Sequence, residues 1–428
     1  MTNSFHKRQE QIRRGIVPEG YKKTQWGIIP VQWDVRAIGD IATVSSGSTP
    51  KRSEARYWNG HIPWVTTGEL VAEHVSSSRE SISDAALAET NLKIYPAGTL
   101  LIAMYGQGKT RGTTALLDIA AAINQACAAI TLKEGLEKYL FYVLQASYDS
   151  IRKLSNVGNQ ENLNADIIRR YPVVWAPRTE QRKIAKILAT QDKIIDLWNR
   201  KIEQLRLLRK LCLRKMFPRA GRDGPEVRFP DFTGAWRRRE LGDIAQFSKG
   251  VGYSKSDLRE SGTPIILYGR LYTKYELEIA DVDTFAMAKP EAVYSRGGEV
   301  IIPASGETAE DIAIASVVGN PGILIGGDIN ILFPSSEIDA TFMAMSLSGG
   351  PAHNEVAKRA QGKSVVHLHN ADLEKVMLSY PSLKEQKRIS AFFRLVEHLI
   401  ALHQRRLAAE EEKKKALMQL LLTGIVRV

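Results

Sequence analysis

The sequence predicts a mixed α/β (α+β) protein that contains two tandem copies of one unit. Each copy is expected to be a compact domain with several short strands, followed by a long α-helix. The two helices are expected to pair as an antiparallel coiled-coil spacer. Three observations support this fold class: an internal repeat at an offset of 203 residues, short apolar runs separated by Gly, Pro and Ser, and two long segments with helical periodicity.

The repeat is visible in several segments that occur in the same order in both copies. Residues 33–47 (WDVRAIGDIATVSSG) align with residues 236–250 (WRRRELGDIAQFSKG). The other aligned pairs are residues 62–70 with 263–271, 98–106 with 298–306, 123–130 with 325–332, and 178–188 with 384–393. Single matches of this kind are weak, but five in one order indicate a tandem duplication.

The composition places the domain limits. After a lead-in segment at residues 1–20, residues 21–177 and 219–382 carry the short β-branched and apolar runs of two compact mixed domains. Residues 178–218 and 383–428 are the helical segments. In the first of them, apolar residues recur mostly at steps of three and four, at Ile184, Ile187, Ile194, Trp198, Ile202, Leu205 and Cys212. A helix of 38 residues is about 57 Å long, and its apolar seam needs a partner, which the helix of the other copy can supply.

The chain has a net charge of +12, and one segment holds the excess. Residues 169–239 contain 20 Lys or Arg and 7 Asp or Glu, a net of +13. A basic segment of this density is typical of a surface that binds a polyanion. A solvated helix that faces an acidic protein partner is the alternative, and the composition leaves both open.

Residues 100–110 (LLIAMYGQGKT) look like a strand that runs into a nucleotide-binding loop. The Walker A signature requires a glycine five residues before Gly108, but the sequence has Ala103 there. A helix must also follow Lys109 and its threonine, whereas the next residues, RGTTALL, favour a strand. In the second copy the shared glycine is followed by Glu307, which does not suit a phosphate cradle. A P-loop NTPase is therefore disfavoured, and we keep it as an alternative.

Other signatures of chemistry are missing from the sequence. The histidines form no H-E-x-x-H motif, and the two cysteines have no metal-ligand or redox spacing, so no cofactor, metal or catalytic residue is expected in this chain. The N-terminal residues are polar, and no apolar run reaches the length of a membrane span. We therefore expect neither a secretory signal nor a membrane anchor, and a cytoplasmic location.

Two motifs occur once in each copy. The helical segments open with APRTEQRKIAKIL (residues 176–188) and YPSLKEQKRISAFF (residues 380–393), where the second has one more residue between Pro and Glu-Gln. The domains open with Trp33 and Trp236, each followed by Ile/Leu-Gly-Asp. With these motifs, and with the lead-in GYKKTQWGIIPVQW, the chain resembles the specificity subunits of type I restriction-modification systems over essentially its whole length.

The resemblance implies a subunit without activity of its own, which reads DNA for its partners. Its two target-recognition domains are expected to bind the two halves of an asymmetric bipartite site on double-stranded DNA, while the helices set the gap between the halves. The helices are also expected to dock two methyltransferase subunits, which use S-adenosylmethionine to methylate adenine. The complex is expected to include two restriction (motor-nuclease) subunits, which use ATP and Mg. One turn of duplex is about 34 Å, which suits a spacer of this length.

Base recognition requires donors and acceptors on turns, and phosphate contacts require Lys or Arg. The candidates in the first domain are Lys51, Arg52, Tyr105, Gln107, Lys109 and Arg111. The candidates in the second domain are Lys249, Tyr253, Lys255, Tyr268, Arg270, Glu307 and Thr308. Each of them could equally be an ordinary solvated loop residue, whereas the two tryptophans at the domain starts are expected to anchor cores. A coiled-coil scaffold with two protein-binding domains, and no role in DNA recognition, is the second alternative.

Overall fold

A computed structural model describes residues 2–71, 73–106, 108–154, 162–219, 222–362 and 365–428. The chain forms two compact units, one made of Met1–Leu197 and Leu407–Val428, the other of Trp198–Arg406. The division cuts through both long helices, so each unit contains one copy of the mixed α/β domain and part of each helix. The helices are therefore part of the two cores and do not form a separate domain.

The first unit contains the first copy of the repeat. Its helices are α1 (Thr2–Arg13), α2 (Ile38–Ile41), α3 (Asp84–Glu89), α4 (Glu137–Ala146), α5 (Tyr148–Arg152), α6 (Ala165–Arg170), the first part of α7 (Arg178–Lys215) and the last part of α14 (Leu383–Leu422). Its strands are β1 (Tyr21–Thr24), β2 (Gly27–Pro30), β3 (Asp34–Ala37), β4 (Ala42–Ser46), β5 (Trp58–Val65), β6 (His74–Val75), β7 (Glu80–Ile82), β8 (Leu100–Ala103), β9 (Thr114–Leu117), β10 (Ala122–Ile123), β11 (Cys127–Leu132) and β12 (Pro172–Trp175).

The first main sheet has the strand order β4-β11-β8-β9-β6. Its neighbours are antiparallel except β9 and β6, which are parallel. A second sheet has the order β10-β5-β7. Trp33 is fully buried in a core that also contains Ile184 of α7 and Leu421 near the C-terminus. Trp33 is thus a core anchor, as predicted, and the domain core is continuous with the helices.

The second unit contains the second copy. Its strands are β13 (Arg237–Glu240), β14 (Ala245–Lys249), β15 (Leu258–Arg259), β16 (Thr263–Ile266), β17 (Glu278–Ile279), β18 (Phe285–Ala286), β19 (Val300–Pro303), β20 (Ser305–Gly306), β21 (Ser316–Val318), β22 (Leu324–Ile325), β23 (Ile329–Pro334), β24 (Val366–His367) and β25 (Met377–Tyr380). Its helices are the last part of α7, α8 (Leu241–Ile244), α9 (Tyr268–Thr273), α10 (Ala309–Ile312), α11 (Ala340–Gly349), α12 (Pro351–Arg359), α13 (Asn370–Leu373) and the first part of α14.

The second main sheet has the order β14-β23-β19-β21-β17, which repeats the first strand for strand. Here too the last pair, β21 and β17, is parallel and the others are antiparallel. The second sheets also correspond, because β5 with β10 and β16 with β22 are both parallel pairs. Trp236 is partly buried against Phe217 and Phe342. The tandem duplication predicted from the sequence is therefore a duplication of the fold.

Within each unit the two long helices run antiparallel. In the first unit, Arg427 pairs with Glu180 at the start of α7, and Gln191 further along α7 donates 2.8 Å and 3.0 Å hydrogen bonds to Glu410 of α14. In the second unit, Trp198 contacts His403, while the later Arg209 pairs with the earlier Glu397. Antiparallel packing is as predicted. The buried Gln191–Glu410 bond is the kind of polar contact that fixes helix register.

The Glu-Gln pair of each repeat starts its long helix. The amide of Gln181 bonds the carbonyl of Ala176 at 2.8 Å, and Gln386 bonds the carbonyl of Pro381 at 2.9 Å. Both amides therefore hold the chain that enters the helix, and this explains why the pair recurs.

The neighbouring glutamates are each held by a distant arginine. Glu385 accepts two 2.7 Å bonds from Arg228, which follows α7, and Glu180 accepts bonds from Arg427, which follows α14. Burial opposes ionisation of Glu180, but bonds from Arg427 and Trp33 outweigh it and hold its pKa below the ordinary value. The segment that follows each long helix is thus bound by an ion pair to the first turn of the other long helix.

Among the residues that the structure describes, no helix combines the length and the apolar composition needed to cross a bilayer.

Candidate nucleic-acid interface

In the first unit, two loops with predicted contact residues leave the main sheet at the same edge. Ser46 of β4 and Ile102 of β8 both pair with Ala128 of β11, one on each side. The two strands are therefore parallel to each other, and the chain after each of them emerges at one edge. The loop after β4 carries Lys51 and Arg52, and the loop after β8 carries Tyr105 and Lys109.

The described residues of the loop after β8 do not have the geometry of a P-loop. The loop joins β8 to the antiparallel strand β9, and no helix follows its lysine. Arg152 donates to the carbonyls of Gly108 and Arg111, and Tyr148 donates to that of Lys109. A P-loop instead presents backbone N–H groups to the ligand and leads into a helix. The described residues of this loop therefore do not favour the P-loop NTPase alternative.

The positions of the first-unit candidates differ from one another. Lys51, Tyr105 and Lys109 are exposed on their loops. Arg52 is exposed but already engaged, since it pairs with Glu80 and its guanidinium lies 3.9 Å from the Trp58 ring centre.

Two further candidates of the first unit need separate comment. Arg111 is only 8% exposed, so the prediction that it is an exposed loop residue is wrong. It lies in the part of the loop that Arg152 and Tyr148 hold against α5. Gln107 lies outside the described residues.

The second unit repeats this arrangement. Lys249 of β14 and Ile302 of β19 both pair with Asn330 of β23, so the loops after these strands also share one edge. A third segment is tied to the same edge, because the amide of Leu368 donates to the carbonyl of Ala304 at 3.0 Å. Lys249, Glu307 and Thr308 are exposed there, and Lys255 is exposed further along the loop after β14.

A cleft of about 430 Å³ opens beside the loop after β19. Tyr268 and Glu307, which are 39 positions apart, line it together. Five other lining residues were not among the predicted contacts: Tyr272, Ser305, Gly306, Asp311 and Val365. The only signal for Tyr272 was its position four residues after Tyr268, on the same face of a helix. Burial raises the pKa of Tyr272, so its hydroxyl is a neutral hydrogen-bond donor.

Two second-unit candidates are buried and have structural roles. The Tyr253 ring is buried, and its hydroxyl accepts a 2.8 Å bond from the amide of Lys289. The Arg270 side chain is 8% exposed and pairs with Glu276 at 2.8 Å and Asp283 at 2.5 Å. The prediction that these two side chains are exposed is wrong, because folding supplies them with internal partners.

The family model for the Type I restriction modification DNA specificity domain matches residues 30–207 and 234–411. These two matches cover both copies of the duplication and most of the chain. The chain belongs to this family. As a member of a family that confers specificity within type I systems, it is a non-catalytic DNA-specificity subunit, as expected from its resemblance. Family membership also implies assembly with methyltransferase and restriction subunits.

Two relatives and one solved structure illustrate what this chain is similar to. The type I restriction enzyme MjaVIII specificity subunit of Methanocaldococcus jannaschii is 22% identical over 423 residues, 96% of each chain. The MjaIX specificity subunit of the same organism is 25% identical over 313 residues, 69% of this chain and 71% of the relative. The crystal structure of the type I S subunit from M. genitalium is 16% identical, with a TM-score of 0.60 over 91% of this chain and 96% of that one. At this identity the structural likeness concerns the fold.

Proposed function

We propose that the specificity subunit reads an asymmetric bipartite DNA target. Residues 21–177 form one target-recognition domain, residues 219–382 form the other, and each reads one half of the target. The helical segments at residues 178–218 and 383–428 set the unspecified gap. One observation carries this proposal: the two main sheets have the same strand order, but the loops at their equivalent edges carry different side chains. Lys109 stands in one edge loop and Glu307 in the other, so one fold offers a donor and its copy offers an acceptor.

The chemistry of the exposed candidates suits DNA. We assign phosphate or guanine contacts to Lys51, Lys109, Lys249 and Lys255, because a lysine donates to phosphate oxygens or to guanine O6 and N7. We assign base contacts to Tyr105, Tyr268, Glu307 and Thr308, since a carboxylate can accept from the amino group of cytosine. Lys109 and Glu307 then favour different bases in the two half-sites.

The helices also offer a surface for a partner subunit. In the second unit, leucine side chains are 42–57% exposed at Leu207, Leu208, Leu211, Leu395 and Leu402. Exposed apolar side chains on packed helices favour contact with another protein. We infer that two methyltransferase subunits dock on the helices, that two restriction subunits join them, and that the complex acts in the cytoplasm. S-adenosylmethionine, ATP and Mg then belong to these partners.

Methyladenine mapping tests the proposed function directly. In cells that carry this chain with its methyltransferase partner, we expect methylation at one asymmetric bipartite sequence with a fixed gap. Purified complex is expected to prefer that duplex over random DNA, with an affinity that falls as salt rises. Equal affinity for both duplexes, with no methylated motif in the cells, would support a scaffold without a role in DNA recognition.

Helix length is expected to control the gap. Matched seven-residue insertions in α7, between residues 184 and 212, and at the facing position of α14 add about 10 Å to the helix pair. We expect the recognised gap to change by about three base pairs, while the bases of both half-sites stay the same. Mapping of methyladenine in cells with the lengthened chain measures both. An unchanged gap with intact methylation would contradict the spacer role.

A further inference from the structure

A lysine in the first unit joins the recognition domain to both long helices. The Nζ atom of Lys414 in α14 lies 2.7 Å from Asp192 of α7 and 2.7 Å from Glu73 of the recognition domain. The Lys414 side chain is 15% exposed and that of Asp192 is 21% exposed. Gln145 of α4 donates a 3.0 Å bond to the same oxygen of Glu73, and Tyr142 of α4 donates to Asp192. We call this cluster the first junction.

An arginine in the second unit occupies the corresponding place. Arg209 of α7 pairs with Glu397 of α14, and both side chains are less than 30% exposed. The Arg209 guanidinium also lies 5.6 Å from the ring centre of Tyr275 in the recognition domain. The Tyr275 hydroxyl bonds the carbonyl of Ala315, one residue before β21. We call this cluster the second junction.

The two junctions are copies of one another. Lys414 follows Arg209 by 205 positions, and Glu397 follows Asp192 by the same number, which is also the offset between the Glu-Gln pairs. In both units, one helix supplies the cation, the other helix supplies the carboxylate, and the recognition domain supplies a third group. The cation comes from α14 in the first unit and from α7 in the second. This exchange is expected because α7 and α14 are the equivalent helices of the two copies.

Each junction touches the recognition domain at the same point of its fold. Glu73 directly precedes β6, the edge strand of the first main sheet, and its carbonyl accepts a 2.9 Å bond from Leu116 of β9. Tyr275 lies just before β17, the edge strand of the second main sheet. In the first main sheet β6 pairs with β9, and β9 pairs with β8. In the second main sheet β17 pairs with β21, and β21 pairs with β19. The loops with the candidate DNA contacts follow β8 and β19. The junction therefore connects the helices to the sheet that carries those loops.

The charged groups of the first junction are suited to fixing the orientation of the recognition domain on the helices. Burial opposes ionisation of Glu73, but bonds from Lys414 and Gln145 outweigh it and lower its pKa. Burial also opposes the charge on Lys414, whose pKa is nevertheless raised by Asp192 and Glu73. Glu73 and Lys414 therefore favour the charged forms together. The Glu73 side chain is 38% exposed, so this partly buried ion pair contributes little net stability, but it requires a defined geometry.

We propose that the two junctions fix the orientation of each recognition domain on the helices and so restrict the complex to one gap length. Lys414, Asp192 and Glu73 are positioning residues in the first unit, as are Arg209, Glu397 and Tyr275 in the second. This inference rests on the proposed bipartite recognition. It adds a role for side chains that do not touch DNA.

The test uses the full chain assembled with its methyltransferase partner and a set of targets whose gap varies by one base pair at a time. For Lys414→Met, the preference for the native gap over gaps one base pair shorter or longer is expected to fall about tenfold. A change of this size corresponds to the interaction energy of one residue pair. The bases of both half-sites are expected to stay the same. Lys414→Arg, which keeps the charge, is expected to retain most of the discrimination, and Lys415→Met on the exposed neighbour is the matched control.

Two further variants keep the test decisive if Lys414→Met does not fold. Glu73→Gln retains a hydrogen-bonding group and should give an intermediate loss, and Glu397→Gln tests the second junction independently. Unchanged gap discrimination in folded variants of both junctions would overturn the inference while bipartite recognition stands. A wild-type complex without any bipartite preference would instead contradict the proposed function.

Discussion

Replacement of Arg228 by alanine is expected to destabilise the second unit by about 3–5 kcal/mol. The carboxylate of Glu385 is 1% exposed and accepts two 2.7 Å bonds from Arg228, so the substitution leaves a buried charge without its partner. Such a loss is a large part of the total stability of a typical domain. Urea unfolding of the purified subunit, followed by far-UV circular dichroism, measures the shift of the transition that belongs to this unit.

The matched control is Arg219→Ala. Arg219 also pairs with a glutamate, Glu226 at 3.2 Å, but both side chains are at least 40% exposed. Exposed pairs contribute at most about 1 kcal/mol, so the control should unfold almost like the wild type. A double variant, Arg228→Met with Glu385→Gln, is expected to recover part of the lost stability. The buried carboxylate at position 385 is then replaced by a neutral amide. Equal effects of Arg228→Ala and Arg219→Ala would contradict the fastening role of the Glu385 pair.

The large features of this fold could be predicted because they depend on repetition and period. The offset between Trp33 and Trp236 indicates a duplication, and a duplication predicts one strand order used twice. The spacing of apolar residues after Arg178 indicates a helix too long to stand alone. The missing glycine at Ala103 also excluded a P-loop correctly, because that loop depends on local backbone geometry.

The details of the candidate interface could not be predicted, because they depend on partners distant in the chain. Arg270 was predicted to be an exposed cation, but Asp283, 13 positions later, pairs with it. Tyr253 is buried where the amide of Lys289 meets its hydroxyl. Residue type and loop position do not reveal such contacts.

The role of the Glu-Gln motif also depends on partners that are distant in the chain. Its recurrence at Glu180 and Glu385 was clear in the sequence, but its role was not. The structure supplies Arg427 and Arg228 as partners, and each arginine follows the end of the other long helix. Both arginines stand in a Val-Arg dipeptide, a short similarity that becomes informative only once the contacts are known.

Exchange of residues 34–170 for those of another family member is expected to change one half of the recognised DNA sequence completely. The limits leave Trp33, Glu180 and Arg427 in place, so the start of α7 keeps its partners. The donor should carry an acidic residue at the position of Glu73, so that Lys414 remains paired. Under these conditions the other half-site and the gap are expected to be unchanged, because the second unit and the helices are untouched.

Methyladenine mapping in cells with the exchanged subunit measures all three elements of the target at once. A matched exchange of residues 237–375 in the second unit is the reciprocal control and should change the other half only. If either exchange altered both half-sites, the two domains would read the target jointly, and the assignment of one half-site to each domain would be wrong. If the exchanged complex kept the original target, specificity would lie outside the two recognition domains. Independent reading is the expected result, since each main sheet and its edge loops are complete within one unit.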